Sequence, residues 1–198
     1  MKRISFVLLL VVLSISCNKK TVMLPKVALD GEEQIANHSQ IWMFYNDKDG
    51  SLKLNEKNRI SSTHWFFNID KRLSLKDVIP VAVRLVDKHN NKSPHNTEPM
   101  SNYYSYANAL NDKLSFYQFD SIRYQFISKN KLPNYSKDTI LVKINSSSIK
   151  FPELNNDIII QTAFDANLSF QDYLSAKAEM VNVVDLKQIS LIEYIFTE

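Results

Sequence analysis

The chain has only one cysteine and two glycines among its 198 residues. A single thiol cannot form a disulfide within the chain. Dinucleotide-binding loops and P-loops both need several closely spaced glycines, whereas Gly31 and Gly50 are isolated from each other. The sequence therefore argues against a nucleotide site of either kind.

The chain also lacks an excess of charge of either sign. Its formal net charge is +3, and removal of Lys2 and Arg3 with an N-terminal leader leaves +1. A nearly neutral protein lacks the excess of positive charge with which proteins bind the phosphates of nucleic acids. Hydrophobic residues make up 44% and charged residues 23% of the sequence, which suits a packed core under a soluble surface.

The apolar run near the N-terminus, residues 4–13, is too short to span a bilayer comfortably. It follows Lys2 and Arg3 and leads through small residues to Cys17. This order is typical of a signal peptide over residues 1–16. The site before the cysteine resembles the lipobox of bacterial lipoproteins, in which the cysteine is acylated and becomes the new N-terminus. We therefore expect lipidation of Cys17, by palmitate or a similar chain, the alternative being a buried thiol.

An eight-residue pattern, Asp-x-x-Leu-Ser-x-x-Asp, occurs at residues 70–77 and again at 165–172. Each copy follows an apolar run and precedes a helix-period pattern. Ser74 and Ser169 suit the N-cap, because a hydroxyl there accepts a hydrogen bond from a free backbone N–H. The aspartate three residues later completes a capping box and complements the helix dipole. The pattern therefore predicts two helix starts and not an active site.

The segments around these two copies follow the same order, which predicts a duplicated α+β unit. We expect two tandem small β-β-β-α-β modules, each a mostly antiparallel sheet with one helix packed on it. The alternative is two unrelated α+β units that share capping boxes and alternating strands. The predicted strands are 41–45, 52–54, 64–69 and 122–126 in the first copy and 140–145, 148–151, 158–164 and 192–196 in the second.

The domain organisation follows from this order. After the signal peptide we expect a tether over residues 17–38, a first module over 39–130 and a second module over 138–198. The copies differ mainly in an inserted polar loop, 88–115. Within it, the tyrosine cluster at 103–107 is expected to begin a short helix that covers one end of the core, the alternative being a partner-binding patch.

One acidic loop partly matches a calcium-binding pattern. Asp47, Asp49, Gly50 and Glu56 occupy matching positions, but Tyr45 stands where the first ligand is needed, and the flanking segments are predicted strands. We therefore interpret the loop as an acidic hairpin turn, because Asp-Gly is a strong hairpin signal.

No other group of residues forms a recognisable reaction centre. His89 and His95, with Glu98 nearby, lack zinc spacing and are expected to be solvated loop residues. Asp70 and Asp165 lie at equivalent strand ends, where the repeat itself explains them. No nucleophile-elbow pattern is present. We expect a non-enzymatic protein with no catalytic residue, no metal site and no cofactor.

Two tripeptides have the form of a modification site. Asp120-Ser121-Ile122 and Asp138-Thr139-Ile140 resemble the Asp-(Ser/Thr)-apolar acceptor for O-glycosylation in Bacteroidetes-type periplasms. A pattern of three residues has little specificity.

Residues 165–181, with the aromatic residues Phe170 and Tyr173, look like the Asp-x-x-x-Ser-Tyr-x-x-Tyr helix start of Bacteroidetes-type ExbD proteins. The second copy thus resembles the periplasmic domain of ExbD/TolR biopolymer-transport proteins over about the last sixty residues. The transmembrane helix of that family carries an aspartate in the proton path, whereas the apolar segment here is short and uncharged. The resemblance therefore implies the family's periplasmic interaction role and not its motor role.

These observations predict a periplasm-facing lipoprotein of the bacterial envelope, anchored in the bilayer (the outer membrane) through Cys17. We expect it to act as a protein-interaction module, accessory to ExbD/TolR-type transport or envelope systems, with an envelope protein as partner and no nucleic acid. Residues 192–196 are the candidate sheet edge for pairing with an extended peptide. The alternative function is a structural lipoprotein that binds peptidoglycan.

Overall fold

The computed structural model describes residues 21–90, 100–133, 138–146 and 158–198. Cys17, His95 and the predicted strand 148–151 lie outside these ranges. The helices are α1 (Leu75–Asn90) and α2 (Phe170–Val183). The strands are β1 (Lys26–Val27), β2 (His38–Tyr45), β3 (Leu52–Asn55), β4 (His64–Ile69), β5 (Asn102–Asn108), β6 (Leu114–Gln118), β7 (Arg123–Ser128), β8 (Thr139–Ile144), β9 (Ile159–Asp165) and β10 (Ile189–Thr197).

The first sheet has the strand order β3-β2-β4-β5-β6. Strands β2, β4 and β5 are parallel to one another, while β3 and β6 pair antiparallel at the two sides. The short strand β1 also pairs with β5, through Lys26 and Ala107. Strand β4 is buried on both faces, because Trp65 and Phe67 belong to the main core while Phe66 packs into a separate cluster on the other face.

The second sheet has the order β7-β10-β9-β8, and all of its strands are parallel. In both sheets a helix connects two neighbouring strands, α1 between β4 and β5 and α2 between β9 and β10. A crossover helix returns the chain to the end at which the first strand began, so the two strands must be parallel. The prediction of mostly antiparallel β-β-β-α-β modules is therefore wrong.

The two copies of the repeated pattern lie against each other. Ser74 and Ser169 form an antiparallel bridge, and four backbone hydrogen bonds surround it. The bonds form two pairs, and within each pair equivalent positions exchange donor and acceptor roles, as expected at a local two-fold axis. They join Leu75 N to Leu168 O (3.0 Å), Phe170 N to Leu73 O (2.7 Å), Lys76 N to Ala166 O (2.9 Å) and Gln171 N to Lys71 O (3.0 Å).

Both helices begin where the capping pattern predicts. Ser169 is the N-cap of α2, and its hydroxyl accepts a hydrogen bond from Asp172 N at 3.1 Å and donates one to the Asp172 carboxylate at 2.7 Å. The hydroxyl of Ser74 donates in the same way to Asp77. These bonds are local, which is why the sequence alone could predict them.

Two segments of the first copy differ from expectation. Residues 123–128 do not close the first sheet but form β7, which pairs with β10 in the second sheet. Residues 103–107 do not begin a helix in an inserted loop but belong to β5, inside the first sheet. Tyr103, Tyr104 and Tyr106 are all buried there, and aromatic residues favour a strand whose two faces are both covered.

Residues 21–37, part of the predicted tether, pack against the first sheet. Met23 O accepts a hydrogen bond from Lys71 N at 2.8 Å, and the side chains of Val27 and Leu29 are buried. Further along, Glu32 exchanges two backbone hydrogen bonds with Phe116 in β6. This segment connects to a core that includes residues from both sheets and both helices.

Candidate functional site

The predicted sheet edge is an interior strand. Residues 192–196 belong to β10, which pairs with β9 on one side and β7 on the other. This position leaves no free edge, so the prediction is wrong. The reason is that β7, which precedes β8, β9 and β10 in the chain, pairs with the side of β10 that we expected to be free. Among the described residues, the edges of the second sheet are β7 and β8.

Strand β7 has the character of an open edge. Four of its six residues are exposed, whereas β8 exposes one of six. Phe126 leaves 52% of its surface in solvent. In a parallel pair, alternate residues direct their N–H and C=O groups away from the partner strand. Strand β7 therefore presents backbone groups that can pair with another chain.

A groove of about 340 Å³ lies beside the start of β7. One wall is a single face of α1, formed by residues three, four and seven positions apart. The other wall is the segment that leads from β6 into β7. The lining residues are Val83, Val86, Asp87 and Asn90 of α1 and Phe119, Asp120, Ile122, Arg123 and Tyr124.

The carboxylate of Asp120 in this groove is held in a fixed orientation. It accepts hydrogen bonds from Asn102 N at 2.8 Å, from Asn102 Nδ2 at 2.6 Å and from Gln118 Nε2 at 3.2 Å. The side-chain oxygen of Asn102 lies 2.9 Å from His89 Nδ1, and the His89 ring stacks on Trp65 at a centroid distance of 3.9 Å. His89 is thus buried in α1 and is not the solvated loop residue that we expected, because the helix continues past it.

A chain of hydroxyl groups leads from Tyr124 into the core. Tyr124 Oη lies 3.1 Å from Tyr104 Oη and 3.0 Å from Tyr173 Oη. Tyr173 donates a hydrogen bond to Glu193 Oε2 at 2.8 Å, and Lys177 forms an ion pair with the other carboxylate oxygen of Glu193. The network therefore connects α2, β5, β7 and β10.

The electrostatics of this network favour a structural role. Burial raises the pKa of Tyr173 and of Tyr124 well above the ordinary value, so both hydroxyls stay protonated. Burial alone would lower the pKa of Lys177, but the Glu193 carboxylate, with help from Tyr117, raises it. The lysine stays charged, and the tyrosines act as hydrogen-bond donors, not as bases. Such a set of groups fixes strands in place.

Asp70 and Asp165 have equivalent structural roles. Asp70 accepts a hydrogen bond from Arg72 N at 3.2 Å, and Asp165 accepts one from Asn167 N at 2.8 Å, so each carboxylate binds the amide two residues ahead. Burial would raise the pKa of Asp70, but hydrogen bonds from Arg72 and from the backbone of Met23 hold it below its ordinary value. Neither aspartate lines the groove.

The acidic loop is a hairpin turn between β2 and β3. The Asp49 carboxylate accepts hydrogen bonds from Ser51 N at 3.0 Å and from Ser51 Oγ at 2.6 Å, and Gly50 has a φ of 73°. Asp47 is occupied in a 2.6 Å ion pair with Arg72. Across residues 21–90, 100–133, 138–146 and 158–198, no three or more His, Cys, Asp or Glu side chains are placed to hold a metal ion.

The residues of this site carried little signal in the sequence. Asp87 and Arg123 look like ordinary surface charges, and Tyr104, Tyr124 and Tyr173 have no common spacing. Glu193 carries the clearest signal, because a lone acid inside an apolar strand implies a buried partner. The patterns that include Asp120, Tyr104 and Tyr173, by contrast, point to other features.

Neither helix in the described part of the chain is long and apolar enough to cross a membrane. Comparison with protein-family models, with curated proteins and with solved structures finds no match to this chain. Its function has to be inferred from the geometry of its own residues.

Proposed function

We propose that this chain is a lipid-anchored protein of the bacterial envelope that faces the periplasm and binds another envelope protein. The signal-like segment that ends in Cys17 supports the anchor. The observation that supports the binding role is strand β7, an edge strand with exposed side chains and outward-directed backbone groups. The resemblance to ExbD/TolR domains suggests a transport or envelope protein as the partner.

Strand β7 is a better candidate for strand addition than the edges of the first sheet. Strand β3 has only four residues. Strand β6 is partly covered, because Glu32 N donates to Phe116 O at 3.1 Å and Phe116 N donates to Glu32 O at 2.9 Å. An extended peptide beside β7 would continue the second sheet, and its side chains would contact Phe126.

Site-directed photocrosslinking in intact envelopes tests this proposal. A photoreactive phenylalanine analogue at Phe126 should form an adduct with one discrete envelope protein. The same analogue at Leu110, which is 65% exposed on the turn between β5 and β6, is the matched control and should not. Self-crosslinks alone, or the same adduct from both positions, would contradict strand addition.

An edge-blocking variant gives an independent readout of the same proposal. Phe126→Lys places a charge on the edge strand, a feature that natural proteins use to prevent strand pairing. Because Phe126 is largely exposed, the variant should keep the wild-type unfolding midpoint and lose co-purification with the adduct protein. Retained co-purification would count against β7 as the contact.

Peptidoglycan binding is the second candidate, and the first sheet provides an observation in its favour. Trp42 and Phe44 are half-buried, and their rings stack at a centroid distance of 6.3 Å. Strand register places Trp42 on the same face as Phe66, opposite the helix-covered face. Partly exposed aromatic rings of this kind suit the apolar faces of sugars. Co-sedimentation with purified peptidoglycan that is lost in Trp42→Ala and retained in Phe126→Lys would favour cell-wall binding over strand addition.

A further inference from the structure

The groove between α1 and β7 has opposite charges on its two walls. Asp87 projects from α1 and Arg123 from the start of β7, and both side chains are exposed. Neither forms an ion pair with another described residue. The two charges therefore face the same space without neutralising each other.

The lining between these charges is mixed, with an apolar strip beside polar and charged groups. Val83 and Val86 of α1 face Phe119 and Ile122 across the groove. Its volume of about 340 Å³ lies at the lower end of the range for small-molecule sites, about 300–1,000 Å³. A ligand with a short aliphatic side chain would cover these residues and gain hydrophobic stabilisation.

Asp120 adds a second, pre-oriented carboxylate. A carboxylate offers about four lone-pair positions. Asn102 and Gln118 supply three hydrogen bonds to Asp120, which leaves acceptor capacity for one more donor. With two carboxylates and one guanidinium around the groove, a ligand that carries only negative charge is disfavoured.

We propose that this groove binds a small zwitterion with an apolar side chain, of the size of a single aliphatic amino acid. The ligand ammonium pairs with Asp87 and Asp120, the ligand carboxylate pairs with Arg123, and the side chain lies on the valine pair. This site depends neither on lipidation of Cys17 nor on strand addition at β7.

Calorimetric titration of the purified full-length chain with three matched probes tests the assignment. Leucine carries both charges, 4-methylpentanoate lacks the ammonium and isopentylamine lacks the carboxylate. Leucine should bind, and each analogue should bind at least about ten-fold more weakly, because each loses a charged hydrogen bond. Absence of binding by leucine at millimolar concentration, or equal binding of all three probes, would overturn the proposal.

Two variants identify which charged residue of the groove pairs with which end of the ligand. Asp87→Asn should weaken leucine binding by about ten-fold and leave 4-methylpentanoate binding unchanged, whereas Arg123→Gln should weaken leucine and leave isopentylamine unchanged. Asp30→Asn and Lys129→Gln change exposed charges outside the groove and should have no effect. All four side chains are exposed, so the variants should unfold at the wild-type midpoint. Leucine binding that is unchanged in both groove variants would refute the assignment.

Discussion

At the scale of single residues, close backbone approach decides which side chain a position tolerates. Gly31 lies beside Tyr106, whose hydroxyl donates a 2.8 Å hydrogen bond to Leu29 O. A Cβ atom at Gly31 would overlap Tyr106 Oη and would lie 2.7 Å from Phe116 O. Phe116 O is a backbone atom of the paired strand β6. Room for a Cβ atom at Gly31 therefore requires a shift of β6.

Gly31→Ala should therefore destabilise the protein by about 1–3 kcal/mol through steric overlap. Urea unfolding followed by circular dichroism measures the change. Gln34→Ala, at an exposed position in the same segment, serves as the control and should leave the unfolding midpoint within error. An unchanged midpoint in Gly31→Ala would show that the segment does not pack against β6 in solution.

The lowered pKa of Asp70 predicts that the stability of the protein depends on pH. Because its hydrogen bonds with Arg72 and Met23 lower its pKa in the folded state, it contributes stability above its unfolded pKa of about 3.9. That contribution is lost as the pH falls through the lower, folded value. Asp70→Asn should be less stable than wild type at pH 7, and the difference should narrow in acid. Unfolding free energies measured across this range check the trend, and a difference that does not change with pH would contradict it.

At the scale of elements, the buried ion pair between α2 and β10 fixes the helix on the second sheet. Lys177 and Glu193 are 5% and 1% exposed, and Tyr173 and Tyr124 extend the hydrogen-bonded network to β7. Such a pair contributes little net stability relative to apolar residues, but removal of one partner leaves an uncompensated charge.

Glu193→Gln should consequently destabilise the protein by about 3–5 kcal/mol, because Lys177 is left buried without a counter-charge. The double variant Lys177→Met with Glu193→Leu removes both charges and should be clearly more stable than the single variant. Thermal and urea unfolding of the three proteins test this. A double variant that is no more stable than Glu193→Gln would show that the two side chains do not interact as described.

At the scale of the whole molecule, two similar halves share one core around a local two-fold axis. The halves correspond in order, β2-β4-α1-β5 and β8-β9-α2-β10, and the repeated serines meet at the axis. The described residues begin at residue 21, four positions after Cys17. A fully extended chain spans about 3.5 Å per residue, so a lipid on Cys17 would hold the body close to the bilayer.

Because the proposed lipid anchor is attached to Cys17, the Cys17→Ser variant should lose both fatty-acid labelling and membrane association. Cells that express the full chain and are fed an alkyne fatty acid should incorporate label into wild type only, because acylation needs the thiol. Ser16→Ala, which keeps a small residue before the cysteine, should still be labelled. Undiminished label on Cys17→Ser would refute the anchor.

The sequence by itself determined the features that depend on neighbours in the chain. The two helix starts at Ser74 and Ser169 and the hairpin at Gly50 arise from hydrogen bonds and backbone angles within a few residues. These features could therefore be predicted from the sequence alone.

Only the tertiary structure decided which strands pair and in which direction. Strand β7 joins the second sheet, β10 lies inside it, and His89 is buried under Trp65, because contacts between distant segments outweigh local preference. The groove arises from the same cause, since Asp87 and Arg123 are brought together by packing of α1 against the strand connection. A local pattern specifies a helix start or a turn, whereas the partner of a strand is set by burial in the assembled core.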